Sequence, residues 1–210
     1  MRETPLFPNK KYSVIYADPP WAWSKKPLDN RGSARAVEKE YPTMQPDEIK
    51  ALPVESIAAD RSVLFMWATS PKLPLAFEVM KAWGFEFKTV AFVWTKRNRL
   101  SPSYFTGMGF YTRQNAEFVL LGTRGSPSLT RKDRNVHQVV DDPISVHSRK
   151  PQEVRDRIDR LFDGDKIELF ARCVVPGWDA WGFDVSDHHI EHGTSSLPNI
   201  QNEADPFVFG

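Results

Sequence analysis

The chain has one cysteine in 210 residues, Cys173. A single thiol excludes an internal disulfide and any cysteine-based metal centre. No hydrophobic run is long enough to cross a bilayer, and Met1-Arg-Glu-Thr-Pro5 lacks the apolar core of a signal peptide. A soluble, cytoplasmic protein is therefore expected. Glycine is scarce, 11 residues against 17 prolines, so the loops should have defined corners. There is no internal repeat and no low-complexity segment. The cations stop early: beyond Arg172 there is no Lys or Arg. Asp179, Asp184, Asp187, Glu191, Glu203 and Asp205 bring the total to +1. His188, His189 and His192 lie in this last polar stretch, which has no periodicity to hold a metal geometry, so no metal site is expected.

What is present is a globular composition, 40% hydrophobic and 12% aromatic. Residues 1–185 read as one domain and 186–210 as a polar tail. Apolar runs at 12–17, 61–67, 85–94, 116–121, 136–140, 166–171 and 178–185 read as strands. Helical signals lie at 46–52, at 73–83 and from Pro151 to about Leu161. In the second of these, Leu73, Ala76, Phe77, Met80 and Trp83 recur at helical spacing, and Gly84 closes it. In the third strand Val90, Phe92 and Trp94 should share a face, and Gly122 should end the fourth. Alternating strands and helices imply an α/β fold with a mostly parallel sheet.

The stretch that carries chemistry is Asp18-Pro19-Pro20-Trp21. Two prolines cannot continue the first strand, since each lacks an N–H and has a fixed φ. They leave a carboxylate, carbonyls and an indole at the carboxyl end of a buried strand, where open α/β sheets bind ligands. The set suits an exocyclic amino group on a nucleobase. That nitrogen's lone pair is delocalised into the ring. Acceptors for both its N–H bonds, Asp18 and the Pro19 carbonyl, favour a more tetrahedral nitrogen, and Trp21 can stack on the base. Such a site works by positioning and electrostatics, without a covalent intermediate.

Two basic stretches follow. Lys25, Lys26, Arg31 and Arg35 lie just after Trp21. Lys96, Arg97, Arg99, Arg113, Arg124, Arg131, Lys132 and Arg134 form the second group, among which Glu117 and Asp133 are the only acids. Tyr104, Phe105, Phe110 and Tyr111 are interleaved with these cations. Cationic loops with aromatics are the footprint of a phosphate backbone with stacked bases.

Six ordered blocks extend the pattern across most of the chain. They are 16–21, Tyr41 through Val54, 64–69, 107–117, 147–151, and 166–172 with 176–178 and 181–182. Together they resemble the MT-A70 family of S-adenosylmethionine-dependent N6-adenine methyltransferases. The resemblance implies a Rossmann-like methyltransferase fold in permuted order, with the catalytic strand first and the cofactor strand late. It implies a cofactor, S-adenosylmethionine, held by Asp18, Lys150, Phe170, Arg172 and Asp184. Lys150 would answer the cofactor's carboxylate and Asp184 its ribose hydroxyls. The cofactor has no phosphate, so the missing G-x-G is consistent with it. Phe183 stands where the family often has Asn, and Cys173-Val-Val175 where it can have polar residues.

Catalysis would fall to Asp18, Pro19, Pro20 and Trp21. Nucleic acid would be met by Lys25, Lys26, Tyr41, Arg97, Arg99, Tyr111, Arg113 and Glu117. Glu117 reads either as a salt-bridged structural residue or as an active-site carboxylate. DNA is the favoured substrate over RNA because the domain carries no RNA-binding appendage. The intact Asp-Pro-Pro-Trp argues for an active subunit, monomeric or homodimeric, with no obligate partner. The competing reading is a non-catalytic nucleic-acid-binding module that keeps the fold.

Overall fold

A computed structural model describes residues 5–22, 43–127, 131–145 and 149–182. In chain order its elements are β1 (Tyr12–Ala17), α1 (Pro46–Lys50), α2 (Val54–Ile57), β2 (Ala58–Ala68), α3 (Leu73–Ala82), β3 (Glu86–Arg97), β4 (Ala116–Arg124), β5 (Val139–Pro143), α4 (Gln152–Leu161), β6 (Lys166–Leu169) and β7 (Asp179–Trp181). Val14, Ile15, Tyr16 and Ala17 are all at most 2% exposed, so β1 is covered on both faces. Continuous apolar residues of this kind mark a central parallel strand. Its neighbours are β2 on one side and β6 on the other, both parallel to it. The full order is β5-β3-β4-β2-β1-β6-β7.

The sheet is mixed, α/β and Rossmann-like as expected. β3 and β5 are parallel, as are β6 and β7, while β4 is antiparallel to both its neighbours. The reversal follows from the connection. Between β3 and β4 the chain has a long loop and no crossover helix, so it returns the way it came.

Period-two alternation splits the core into two layers. On one face Ile15, Leu64, Met66, Leu120 and Leu169 pack against Ile49 of α1 and Ala76, Val79 and Met80 of α3. On the other, Tyr16, Phe65, Trp67, Phe92, Trp94 and Val119 pack against Val154 and Ile158 of α4. The i, i+3, i+4 spacing of Ala76, Val79 and Met80 gives α3 its buried stripe. Trp83 follows it and donates its indole N–H to the Ile49 carbonyl at 2.9 Å. Gly84 then leaves with φ +79°, a left-handed value suited to glycine.

Several local expectations are corrected. Phe77 lies outside the stripe, 40% exposed and edge-on to Phe87 at 4.8 Å. Val90 does not share a face with Phe92 and Trp94. The β3–β4 register shifts between Val90 and Phe92, which turns Val90 to the α3 side. Pro151 caps α4 in an extended conformation, and the helix begins at Gln152. β6 stops at Leu169 rather than Ala171, because Phe170 turns to φ +62°. The edge strand β5 starts at Val139, three residues later than its hydrophobic signal. The last strand's signal at 178–185 falls on Asp179–Trp181, and residues from 183 onward, including the tail, lie outside the described residues.

Gly122 does not end β4. It sits inside the strand, where a Cβ would meet Met80 Cε at 2.5 Å and Phe85 Cβ at 3.1 Å. Glycine is what lets α3 and the turn after it approach the sheet. Gly122→Ala should therefore overpack this contact and cost about 1–3 kcal/mol. Chemical denaturation would read it as a lower midpoint at unchanged slope.

Candidate active site

The topology marks one place for a ligand. After β1 the chain crosses to β2 with α1 and α2 between, and later returns through α4 to β6 on the opposite side of β1. The crevice beyond the carboxyl ends of β1 and β6 is therefore the switch point of the sheet. Ala17 pairs with Leu169, so Asp18 and Phe170 are the next residues out on the two strands.

The Asp-Pro-Pro-Trp turn is held firmly. The Trp21 N–H donates to the Pro19 carbonyl at 2.8 Å, and the Met44 N–H to the Pro20 carbonyl at 2.9 Å. Ala22 N–H reaches the Met44 carbonyl at 3.2 Å. The Trp21 indole N–H donates to the Trp67 carbonyl at 3.3 Å, and the Lys72 ammonium to the Ala22 carbonyl at 2.6 Å. So the turn is tied to the end of β2 and to the segment entering α1. The Pro19 carbonyl keeps one lone pair for a further donor.

Asp18 faces a line of alternating charge. Lys150 Nζ lies 3.1 Å from Asp18 Oδ2 and 3.2 Å from Glu117 Oε2. The second oxygen of Glu117 accepts a short hydrogen bond from the Lys96 ammonium. Trp67 and Trp94 floor this line: Lys150 Nζ sits 5.2 Å from the Trp67 ring centroid and Lys96 Nζ 4.9 Å from that of Trp94. Glu117 is the buried charged residue among the described ones, 9% exposed. Because β4 is antiparallel, its first residues rather than its last arrive at the carboxyl ends of β1 and β2. This is how Glu117 reaches the site.

The charges set one another's protonation. Burial alone would raise the Glu117 carboxyl, but Lys150 and Lys96 outweigh it and hold the group below the usual carboxylate range. Burial alone would lower the Lys150 ammonium, but Asp18 and Glu117 outweigh it and raise it. Both stay charged at neutral pH. Just behind, Arg155 of α4 bridges to Glu168 of β6 and lies 5.8 Å from the Tyr16 ring centroid. Burial still pushes the Glu168 carboxyl up, with Arg155 offsetting part of that. Tyr16 accepts from the Trp67 indole N–H at 2.6 Å, which locks the floor beneath Lys150.

The β6–β7 side of the crevice is tightly built. Phe170 adopts its left-handed φ without being glycine, a strained conformation that the surroundings must hold. Its ring meets Trp181 edge-on at 5.6 Å. A Cβ on Gly182 would lie 2.4 Å from the Ala171 carbonyl oxygen, so only glycine allows this approach. Arg172 is exposed on the turn beyond Phe170.

The structure thus brings together Asp18, Pro19, Pro20, Trp21, Lys150 and Glu117, with Phe170 across the crevice. Glu117 is salt-bridged to Lys150 and Lys96, and through Lys150 it lies beside Asp18. Lys150 is not a solvated helix end. It precedes α4 by two residues and turns its ammonium inward. Arg97 is engaged with Asp141 at 3.0 Å, while Arg99, Tyr111 and Arg113 are exposed on the 98–115 loop. Lys25, Lys26, Tyr41 and Asp184 lie outside the described residues. Sequence reasoning misses Lys96 and Trp67 as members of the site. The period-two signal that puts Trp94 inside also puts Lys96 on that face, and only the β3–β4 pairing of Trp94 with Glu117 gives it a partner. Among the described residues no cluster could hold a metal, and no helix is long and apolar enough to cross a membrane.

Known proteins resemble this chain. It is 41% identical over 201 residues to the type II methyltransferase M.MunI of a Mycoplasma species, covering 89% of this chain and 83% of that one. It is 31% identical over 172 residues to an N(6)-adenosine-methyltransferase MT-A70-like protein of Drosophila melanogaster, covering 80% of this chain and 26% of that one. It is 28% identical over 199 residues to the human N(6)-adenine-specific methyltransferase METTL4, covering 87% and 39%. The chain thus spans most of the bacterial relative and about a quarter to two fifths of these animal ones. Residues 12–184, from the first residue of β1 past the turn that closes the crevice, match the sequence model of MT-A70, and this chain belongs to that family.

Proposed function

We propose that this protein transfers a methyl group from S-adenosylmethionine to N6 of adenine in DNA. The observation that carries the reading is the meeting of Asp18, the Pro19 carbonyl and Trp21 at the switch point, with the Lys150–Glu117–Lys96 line beside them. S-adenosylmethionine supplies an electrophilic methyl on a sulfonium. The residues present fit such a molecule: Lys150 offers a cation for its carboxylate, Asp18 an acceptor for its ammonium, and Phe170 a wall.

The chain's own work is to position and polarise. Asp18 and the Pro19 carbonyl accept the two N–H bonds of the adenine amino group, which loosens its lone pair from the ring. Trp21, pinned at its indole N–H, holds the base plane in line for attack. Lys150 sits between Asp18 and Glu117 and is paired with both, which fixes the two carboxylates in place as acceptors. After transfer the nitrogen's extra proton passes to Asp18 or to water. In duplex DNA the base must first leave the stack, at a cost of a few kcal/mol.

DNA is favoured over RNA on the similarity to the Mycoplasma type II enzyme, which extends along most of both chains. The basic 98–115 loop supports binding to either polymer. The test is labelled-methyl transfer to matched single- and double-stranded DNA and RNA, with digestion to nucleosides. N6-methyldeoxyadenosine is the expected product. Transfer to RNA alone would replace the substrate, and cofactor-bound protein that methylates none of them would sink the reaction. Arg99 and Arg113 are exposed cations of the loop. Changing both to Glu should weaken DNA binding and lower the log–log salt slope by about 1 for each phosphate no longer neutralised. An unchanged slope would take the loop off the backbone.

A further inference from the structure

The 98–115 loop is a built arm. Lys96 N–H donates to Asn115 O at 2.8 Å, Phe105 N–H to Lys96 O at 2.8 Å and Gly107 N–H to Gln114 O at 3.1 Å. The arm therefore rises directly from Lys96 on one side and ends at Glu117 on the other. Its two glycines allow it to fold back: a Cβ on Gly107 would lie 2.3 Å from Gln114 O, and one on Gly109 2.1 Å from Thr112 O. At the tip Phe110 is 70% exposed and Tyr111 fully exposed.

Between this arm and the Ser70-Pro71 turn lies a cleft of about 420 Å³, within the size range of small-ligand sites. Phe110, Tyr111, Arg113 and Gln114 line it on the arm side. Its position follows from register. Ala68 pairs with Phe118, so the cleft occupies the space just beyond the last β2–β4 pair. It is next to Trp67 and Glu117 of the reacting site. Gln114 lines the cleft, and its side-chain Nε2 is buried with no partner among the described residues. Unpaired buried polar atoms call for an explanation, and a ligand with donors and acceptors is one. From Lys96 to Asn115 the chain has four cations and no acid. The occupant is therefore expected to be anionic along one side and aromatic.

We propose that this cleft is a second base site, which takes the nucleotide flanking the reacting adenine. It rests on the nucleic-acid reading above. The aromatic tip stacks on the base, Arg113 meets its phosphate, and the Gln114 amide reads its edge. A carboxamide presents a donor and an acceptor side by side, the complement of adenine's N7 and N6. The site would thus set sequence context one position away from the chemistry.

The test uses a pool of oligonucleotides with one target adenine and randomised flanks, made as DNA and as RNA, read by sequencing of methylated product. The wild type should discriminate sharply at one flanking position. Gln114→Ala should flatten the preference at that position roughly tenfold while the preferences elsewhere persist. Tyr111→Ala should raise KM roughly tenfold for all sequences, and Tyr111→Phe, which keeps a stacking face, should restore it. Tyr111 is fully exposed, so its variants retain the fold. A transferring wild type whose variants keep its flank profile and KM overturns the base site alone. A wild type that transfers to neither pool overturns the proposed function and this site with it.

Discussion

Replacing Asp18 with Ala lowers kcat for methyl transfer by about 10²–10³ or more, the usual consequence of removing one preorganised polar group from a transition state. The loss should be in the chemical step. Trp21 is tied through the Trp67 carbonyl and the Pro20 carbonyl through Met44, and neither tie involves the Asp18 side chain. The Asp-Pro-Pro-Trp turn therefore stays assembled. Lys150 keeps Glu117 at 3.2 Å, so the ammonium is not stranded. Melting should move by only a few degrees. Asp18→Asn sharpens the result, because it keeps the shape but replaces an acceptor oxygen with an NH₂ that cannot accept from the amine. Single-turnover rates with cofactor and DNA in excess make the measurement. A wild-type rate in either variant would remove Asp18 from the mechanism.

Lys150→Met has the second large effect, and it acts on stability as well as activity. The ammonium sits between Asp18 and Glu117 and is paired with both. Removing it leaves the two carboxylates facing one another, with Lys96 attached to Glu117 alone. Breaking a buried charge pair costs roughly 3–5 kcal/mol. At about 2–4 °C per kcal/mol for a chain of this size, melting should fall by roughly 10 °C. Lys150→Arg keeps the charge and should recover most of the stability. If the methionine variant melts like the wild type, the line of charge is not a structural device.

The same line has a pH signature. The Glu117 carboxyl is held below its ordinary value of about 4.3 in the folded state. Its stabilisation is therefore complete above that pH and is lost as pH falls through the depressed folded value. The Lys150 ammonium is raised above its ordinary value of about 10.4. Its contribution is complete below that pH and is lost as pH rises through the raised folded value. Stability from this source should be flat between about pH 4.3 and 10.4 and fall at both ends. Thermal melts across pH should show Glu117→Gln with a shallower acid limb than the wild type.

Much of this was legible along the chain. The apolar run at 12–17 with two prolines after it needs no tertiary context to become a buried strand that stops at Asp18. The helical stripe of Ala76, Val79 and Met80 is likewise local. The six motif blocks identified the family, and the family match covers residues 12–184. Local pattern misleads where long-range packing overrides it. Val90 reads as sharing a face with Phe92 until a register shift against β4 turns it over. Gly122 reads as a terminator because a glycine's backbone freedom is visible in sequence, whereas the Met80 side chain that needs its missing Cβ is not.

By itself the sequence determined which atoms are available for chemistry: a carboxylate, a proline carbonyl and an indole in four consecutive residues, because covalent order alone keeps them together. It also determined the α/β class, since periodicity is a local property. The tertiary structure decided how those atoms are paired and held. Lys150 and Glu117 lie 132 and 99 positions beyond Asp18, and Lys96 lies 21 before Glu117. No spacing rule connects them. They meet because β1 is central, β4 runs backwards and α4 returns the chain beside β6, which brings four distant segments to one end of the sheet. There, largely shielded from solvent, the Glu117 and Lys150 charges are set by their neighbours, and that property belongs to the assembled site rather than to any residue in the chain.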